Sequence, residues 1–375
     1  MNKKIMPFLN IKKINFNILK IIIIFIFFTL LNFSISSIYT KTKNIIRKNR
    51  IGVISVWNEQ NVGNMLVKFS MYTKLKEFGL DPVIICNTRE KTNIDFLKRY
   101  VKFKEIKKNF SELNKNDYDI LMVNSDQTWS RCCGKKHFYD YAFLRFAKDW
   151  VIPKFTYAAS FAREYWPYSN EVNKIAKTLL KNFTGISLRE KGSINLVENN
   201  LGIKPLFVLD PTFLIDKKYY LNLIKYFNLN FNFNEKYIFV YQLDNNKIIE
   251  NFIQKASKKL NYKIYKVSLS KNNYVENFIF GINASQAVIT DSFHGTVFSI
   301  IFNKPFISYI NSMRGRARFY SLNETFNLNK RIIFPNKKEE PNIKLLSKPL
   351  NINKSLFNNL KKISINYLKK NLKIL

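Results

Sequence analysis

Cysteine, histidine, glycine and proline are all sparse in this 375-residue chain, at three, two, ten and ten residues. An odd cysteine count, with Cys132 and Cys133 adjacent and Cys86 far upstream, excludes a disulfide framework. His137 and His294 are too few to complete a Cys/His zinc site, so no metal is expected. Acidic residues are scarce as well: 26 Asp and Glu face 62 Lys and Arg, for a formal net charge of +36. Such a surplus attracts anions, whether nucleic acid, acidic lipid or a phosphorylated substrate. The bias of 50 Lys to 12 Arg, beside abundant Asn, Ile and Phe, also fits the drift of an AT-rich coding sequence. No RNP, zinc-finger or helix-turn-helix signature accompanies the charge, so nucleic acid is not an expected partner. What is plentiful is apolar: 46% of residues are hydrophobic and 15% aromatic, which excludes a mainly disordered chain. The length suggests two domains or one large α/β unit.

Residues 1–50 hold ten Lys and Arg and no acid, and the run IIIIFIFFTLLNFSISSIY over 21–39 reads as a single-pass membrane anchor. A helix of about 20 apolar residues, rising about 1.5 Å per residue, just crosses a bilayer. A cleaved signal peptide ending near Ser34, Ser36 and Ser37, or a buried core helix, are the alternatives. Five basic residues on each side leave the orientation open. A membrane location is expected, with a cytoplasmic one as the alternative.

From residue 51 onward short β-branched runs alternate with longer amphipathic stretches, the pattern of βαβ units and parallel sheets. Strands are predicted at 51–57, 82–86, 118–123, 155–159, 185–188 and 206–209, with a helix over 65–78 after a loop at 58–64. A second series runs from 237–242 through strands at 263–267, 287–290 and 305–310, with helices at 244–259, 274–284 and 294–302. Two Rossmann-like domains are therefore expected, at 51–215 and 216–350, with 216–235 as their connection. Ligands in such sheets lie beyond the carboxyl ends of the strands. A basic amphipathic helix is predicted over 351–375, packing on its own domain.

Thr290-Asp291-Ser292-Phe293-His294-Gly295-Thr296 follows a strand and opens a helix, where unsatisfied backbone N–H groups favour an anion. His294 there donates to a phosphate or carboxylate or exchanges a proton, or it is a bystander on a helix capped by Ser292 or Asp291. His137 reads as structural. Arg189, ending a strand in Ser-Leu-Arg-Glu, matches a carboxylate or phosphate with its fork, or pairs with Glu190 or Asp210. Asp126, in the loop Asn124-Ser125-Asp126-Gln127, is a candidate base. Arg314, Arg316 and Arg318 put three of twelve arginines in one loop, an anion site or a solvated turn.

NVGNMLVKFSMYTKLKEFG, VNSDQTWS, YAASFA, SLREKGS, VLDPTFLI and ITDSFHGTVFSIIFNKPFISY occur in the order and spacing of the polysaccharide pyruvyl transferase family, over about residues 51–335. The resemblance implies a GT-B-like pair of Rossmann-type domains with the site between them. It also implies transfer of pyruvate from phosphoenolpyruvate to a saccharide acceptor as a ketal, without a cofactor. Arg189 resembles the family's phosphoenolpyruvate-binding arginine, and His294 its catalytic or donor-binding histidine. Ser-Phe-His-Gly stands where many members have Ser-Arg-Leu-His-Gly, so an arginine beside the histidine is missing, and Arg318 is the first choice to replace it. His294, Asp126 and Asp291 are thus the expected catalytic residues, and Arg189, Ser292, Gly295 and Arg318 the expected substrate-binding ones. A glycosyltransferase using a sugar nucleotide, or a non-catalytic membrane-anchored glycan-binding protein, are the competing functions.

Overall fold

Alternating apolar runs and amphipathic stretches build two parallel sheets with helices around them. The computed structural model describes residues 25–32, 50–55, 61–86, 94–130, 138–225, 235–267, 274–311, 314–335 and 340–374. Residues 1–49 form one unit and Arg50–Leu375 another. Of the first, residues 25–32 form a short helix (α1) with exposed Phe25, Phe27 and Phe28. The rest of the expected anchor over 21–39 lies outside the described residues. Among the described residues no helix is long and apolar enough to cross a membrane. His137, Cys132 and Cys133 also lie outside them.

The second unit begins β1 (Arg50–Ile54), α2 (Val62–Glu77), β2 (Asp81–Cys86), α3 (Ile94–Tyr100), β3 (Phe103–Glu105) and β4 (Ile120–Val123). It continues with α4 (Phe138–Phe143), β5 (Lys154–Thr156), α5 (Asn170–Leu180), β6 (Ser187–Leu188), α6 (Gly192–Leu201), β7 (Leu206–Phe207) and α7 (Lys217–Ile224). Then follow β8 (Tyr237–Tyr241), α8 (Lys247–Leu260), β9 (Lys263–Lys266), α9 (Tyr274–Ala284), β10 (Ala287–Thr290) and α10 (Phe293–Ile301). The chain ends with β11 (Phe306–Tyr309), α11 (Ala317–Phe326), β12 (Ile332–Ile333) and α12 (Lys354–Leu372).

The first sheet has the order β3-β2-β1-β4-β5 and the second β12-β11-β10-β8-β9, with every pairing parallel. In the first, Ile51–Ile54 lie between Pro82–Ile85 and Ile120–Val123. These residues read as nearly unbroken apolar runs because a parallel sheet is covered on both faces. Bridges Phe155–Gly185 and Ala159–Leu188 lead the pair β6-β7 alongside the first sheet. Strand order reverses between β1 and β4 and again between β8 and β10, which opens a crevice at the carboxyl ends of both pairs.

Helix α2 begins at Val62, three residues earlier than its apolar stripe predicts, because Asn61 caps it by accepting the Asn64 N–H at 3.1 Å. It carries Met65, Leu66 and Phe69 into one apolar cluster with Tyr220, Phe278, Val297 and Phe298 from the later segments. Tyr220 links the two halves: its ring lies 6.2 Å from Phe69 and 4.9 Å from Phe298, and its hydroxyl 2.7 Å from Ser70 Oγ. Each such fully buried side chain stabilises the fold by about 1.5–3 kcal/mol.

Two expectations need correction. The stretch 216–235 is not a bare connection: it opens with α7, whose Tyr220 and Leu223 reach the core. Helix α12 packs on the first half of the chain, not on the 216–350 segment alone. Its Tyr367 hydroxyl donates to Thr156 O at 2.8 Å, Ser364 Oγ accepts the Leu209 N–H at 2.9 Å, and Asn371 Oδ1 accepts from Thr184 at 2.9 Å. Buried Tyr367, Leu368 and Leu372 form the stripe responsible.

Candidate functional site

The crevice between the reversal points holds a cavity of about 650 Å³. Asn61, after β1, and Asp126, after β4, line it from the first half, and Leu243, after β8, and Asp291 to His294, after β10, from the second. Arg314, Gly315, Arg316 and Arg318, together with the adjoining Phe161 to Tyr165, complete the lining.

The start of α10 is built by its own polar residues. Thr290 Oγ1 donates to Tyr241 O at 2.6 Å and accepts the Ser292 N–H at 3.0 Å, and Ser292 Oγ accepts the Gly295 N–H at 3.3 Å. His294 follows on the first turn, seated over α2: a Cβ at Gly63 would lie 1.9 Å from its Nδ1. Gly295 does not line the cavity; a Cβ there would meet Thr290 Oγ1 at 2.2 Å, so its role is close packing of helix on strand.

His294 Nε2 lies 3.6 Å from Asp210 Oδ2, and the same oxygen accepts from Arg189 Nη1 at 2.6 Å. The other Asp210 oxygen accepts from Thr212 N at 3.0 Å and Thr212 Oγ1 at 2.7 Å. Burial alone pushes the Asp210 carboxyl up, but His294, Arg189 and Thr212 together hold it well below the usual carboxylate range. Arg189 Nη2 also lies 3.4 Å from Asp126 Oδ1, and Arg318 Nη1 3.9 Å from the same atom. Burial raises the Asp126 carboxyl too, and Arg189, His294, Arg318 and Asn64 outweigh it, holding it at about 2. Asp126 has φ 72°, a left-handed turn that aims its side chain at these partners.

Both guanidiniums sit against the Phe293 ring, Arg189 at 4.8 Å and Arg318 at 5.1 Å from its centroid. Burial and the neighbouring Arg189 lower the Arg318 guanidinium to about 10, which leaves it charged at neutral pH. Arg318, from the start of α11, thus shares the Phe293 ring and the Asp126 carboxylate with Arg189. Arg189 is buried behind the cavity surface, while His294, Asp126, Asp291, Ser292 and Arg318 line it. The two Asp291 oxygens accept the N–H groups of Leu243 at 2.7 Å and Asp244 at 3.1 Å, tying β10 to the loop after β8.

Three participants escaped the sequence reading of site residues. Asp210 was visible only as a possible partner for Arg189. Asn64 Nδ2 donates to Asp126 Oδ2 at 2.7 Å, and buried Lys68 donates to Asn64 Oδ1. Burial lowers the Lys68 amine to about 8. The spacing of Asn64 and Lys68, i and i+4 on an otherwise apolar helix face, was the available signal. Among the described residues no group of three His, Cys, Asp or Glu side chains could hold a metal ion.

The fold is similar to that of UDP-GlcNAc 2-epimerase from Neisseria meningitidis bound to UDP-GlcNAc, at 13% identity and a TM-score of 0.55, over 86% of this chain and 100% of that one. It is also similar to UDP-GlcNAc 2-epimerase from Methanocaldococcus jannaschii, at 14% identity and a TM-score of 0.51, over 86% and 99%. These likenesses show an α/β, GT-B-like fold with parallel sheets. No curated protein matches the sequence. The family model described as polysaccharide pyruvyl transferase matches residues 61–313, more than half of the chain. With that match, and four of the six motifs lining one cavity while the other two supply Arg189 and Asp210 behind it, the chain belongs to the polysaccharide pyruvyl transferase family.

Proposed function

We propose that this protein transfers pyruvate from phosphoenolpyruvate to two hydroxyls of a saccharide, forming a ketal and releasing phosphate. The observation that carries the reading is the convergence of His294, Arg189 and Arg318 upon two ionised carboxylates beside the cavity. A small donor with a carboxylate and a phosphate suits two fixed guanidiniums and a helix start.

In this mechanism His294, whose Nε2 lies 3.6 Å from the Asp210 carboxylate, gives a proton to the donor's methylene carbon. The adjacent carbon becomes cation-like and one sugar hydroxyl attacks it, its proton passing to Asp126. The second hydroxyl displaces phosphate, which leaves with that hydroxyl's proton, and Asp126 returns its own to His294. Two hydroxyl protons thus end on the new methyl group and on phosphate. Asp126 is a weak base while it holds both guanidiniums. The donor's anionic groups draw on the Arg318 charge at the cavity surface, and the carboxylate gains basicity as that charge is shared. Asp291, with both oxygens on backbone N–H groups, serves better as a strut of the helix start than as a proton acceptor. Arg189 and Arg318 supply the electrostatic stabilisation that dominates such reactions.

The test is phosphate release from phosphoenolpyruvate in the presence of candidate glycans. His294→Ala is expected to lower turnover by about 10²-fold or more, and unchanged turnover would remove the histidine from the mechanism. Thermal protection by UDP-GlcNAc but not by phosphoenolpyruvate would replace this reading with the sugar-nucleotide one.

A further inference from the structure

The cavity exceeds the needs of one three-carbon donor, and its lining is mixed in chemistry. Arg163, Arg314, Arg316 and Arg318 bring cationic groups, whereas Asn61, Gln127, Ser130 and Tyr165 bring amides, a hydroxyl and an aromatic ring. Tyr165 is singular. In a chain with 15% aromatic residues it is, among the described residues of Arg50–Leu375, the one aromatic side chain left more than half exposed, at 57%.

Its neighbours are anchored. The Trp166 ring packs 5.4 Å from Phe161 and 5.0 Å from Tyr168, and its Nε1 donates to Asn173 Oδ1 at 2.9 Å. Glu164 pairs with Arg316, and Arg163 donates to the Tyr165 hydroxyl. An exposed ring held on a fixed loop is an apolar contact prepared before any ligand arrives, which reduces the ordering cost of binding.

A pyranose presents a face of C–H groups and an edge of hydroxyls, so it suits an aromatic ring bordered by amide and hydroxyl groups. We propose that Tyr165 is the platform on which the acceptor saccharide stacks, with Gln127 and Ser130 of the same cavity lining to meet its hydroxyls and with His294 and Arg318 lining that cavity too. The assignment rests on the pyruvyl-transfer reading for the word acceptor, but saccharide binding at Tyr165 is measurable without turnover.

The full chain and its Tyr165→Ala and Tyr165→Trp variants are titrated with a panel of neutral hexose and N-acetylhexosamine oligosaccharides by saturation-transfer NMR. Thermal protection by phosphoenolpyruvate is measured in parallel. The wild type is expected to bind a member of the panel, Tyr165→Ala to bind it about tenfold more weakly, the scale of one lost aromatic contact, and Tyr165→Trp to retain it. Phosphoenolpyruvate should protect all three equally, because Tyr165 is not among the residues assigned to it, His294, Arg189 and Arg318. Absence of saccharide binding to the wild type, equal binding by Tyr165→Ala, or Tyr165-dependent binding of UDP-GlcNAc in place of the saccharides would each overturn the platform. Tyr165-dependent saccharide binding without phosphoenolpyruvate protection would support the platform and overturn the donor reading instead.

Discussion

Replacing Asp126 by Asn tests how much of the fold's stability resides in the charge cluster at the site. The carboxylate accepts from Asn64 at 2.7 Å and faces Arg189 at 3.4 Å and Arg318 at 3.9 Å. These partners bring it from an ordinary 3.8 to about 2. At about 1.4 kcal/mol for each tenfold change in proton affinity, that stabilises the native state by about 2 kcal/mol at neutral pH. The sign follows from the lowered value. The contribution is complete above the unfolded carboxyl's range near 4 and disappears as pH falls through about 2. Asparagine keeps an acceptor for Asn64 but has no charge to lose. The stability gap between wild type and Asp126→Asn should therefore be widest above about pH 5 and narrow by about 2 kcal/mol toward pH 2. Asp291, whose carboxyl burial raises, acts in the opposite direction in both proteins and cancels in the difference. Urea unfolding across this pH range supplies the gap directly. A gap independent of pH, or one that widens in acid, would show that Asp126 is not held as an ion by Arg189 and Arg318.

Gly63→Ala would put a methyl group 1.9 Å from His294 Nδ1; phosphate release should fall at least about tenfold with a loss of about 1–3 kcal/mol in unfolding free energy, and normal values of both would disprove the seating of the imidazole. Lys68→Met removes a buried amine lowered to about 8. The unfolded chain binds more protons between about pH 8 and 10.5, so urea midpoints of the wild type should rise relative to the variant across that interval. Arg318→Lys keeps the charge but not the fork, and should weaken phosphoenolpyruvate about tenfold in a thermal-shift titration. Tyr367→Phe loses the hydrogen bond to Thr156 O and should cost about 1 kcal/mol by urea denaturation.

Much of this architecture is readable along the chain because the central strands are apolar on both faces. The runs that became β1, β4, β8 and β10 are unbroken and flanked by polar loops, and Thr290 to Ser292 announces the start of α10. Strand β3 escaped because its Phe-Lys-Glu carries two charges and is only half-buried, and β12 because two isoleucines after Arg331 are all that mark it. Helix α7 was hidden in a Lys- and Asn-rich stretch where only Tyr220 and Leu223 mark a buried face. Within the site, His294, Arg189 and Arg318 were visible as residue types at strand ends or in a cluster. The sharing of Asp210 between Arg189 and His294 was not, since three segments meet there only after both sheets have formed. Likewise, no local rule says that Asn64 reaches Asp126, 62 residues away.

The bond between the Tyr367 hydroxyl and Thr156 joins residues 211 positions apart, and the stripe around it packs on β5, an edge strand of the first sheet. During synthesis the amino-terminal strands leave the ribosome long before the helix that covers them, so they wait with an uncovered apolar flank. Assembly of this half is therefore slow and exposed to aggregation and proteases, and expression level should depend on chaperone supply more than the modest size of either sheet suggests.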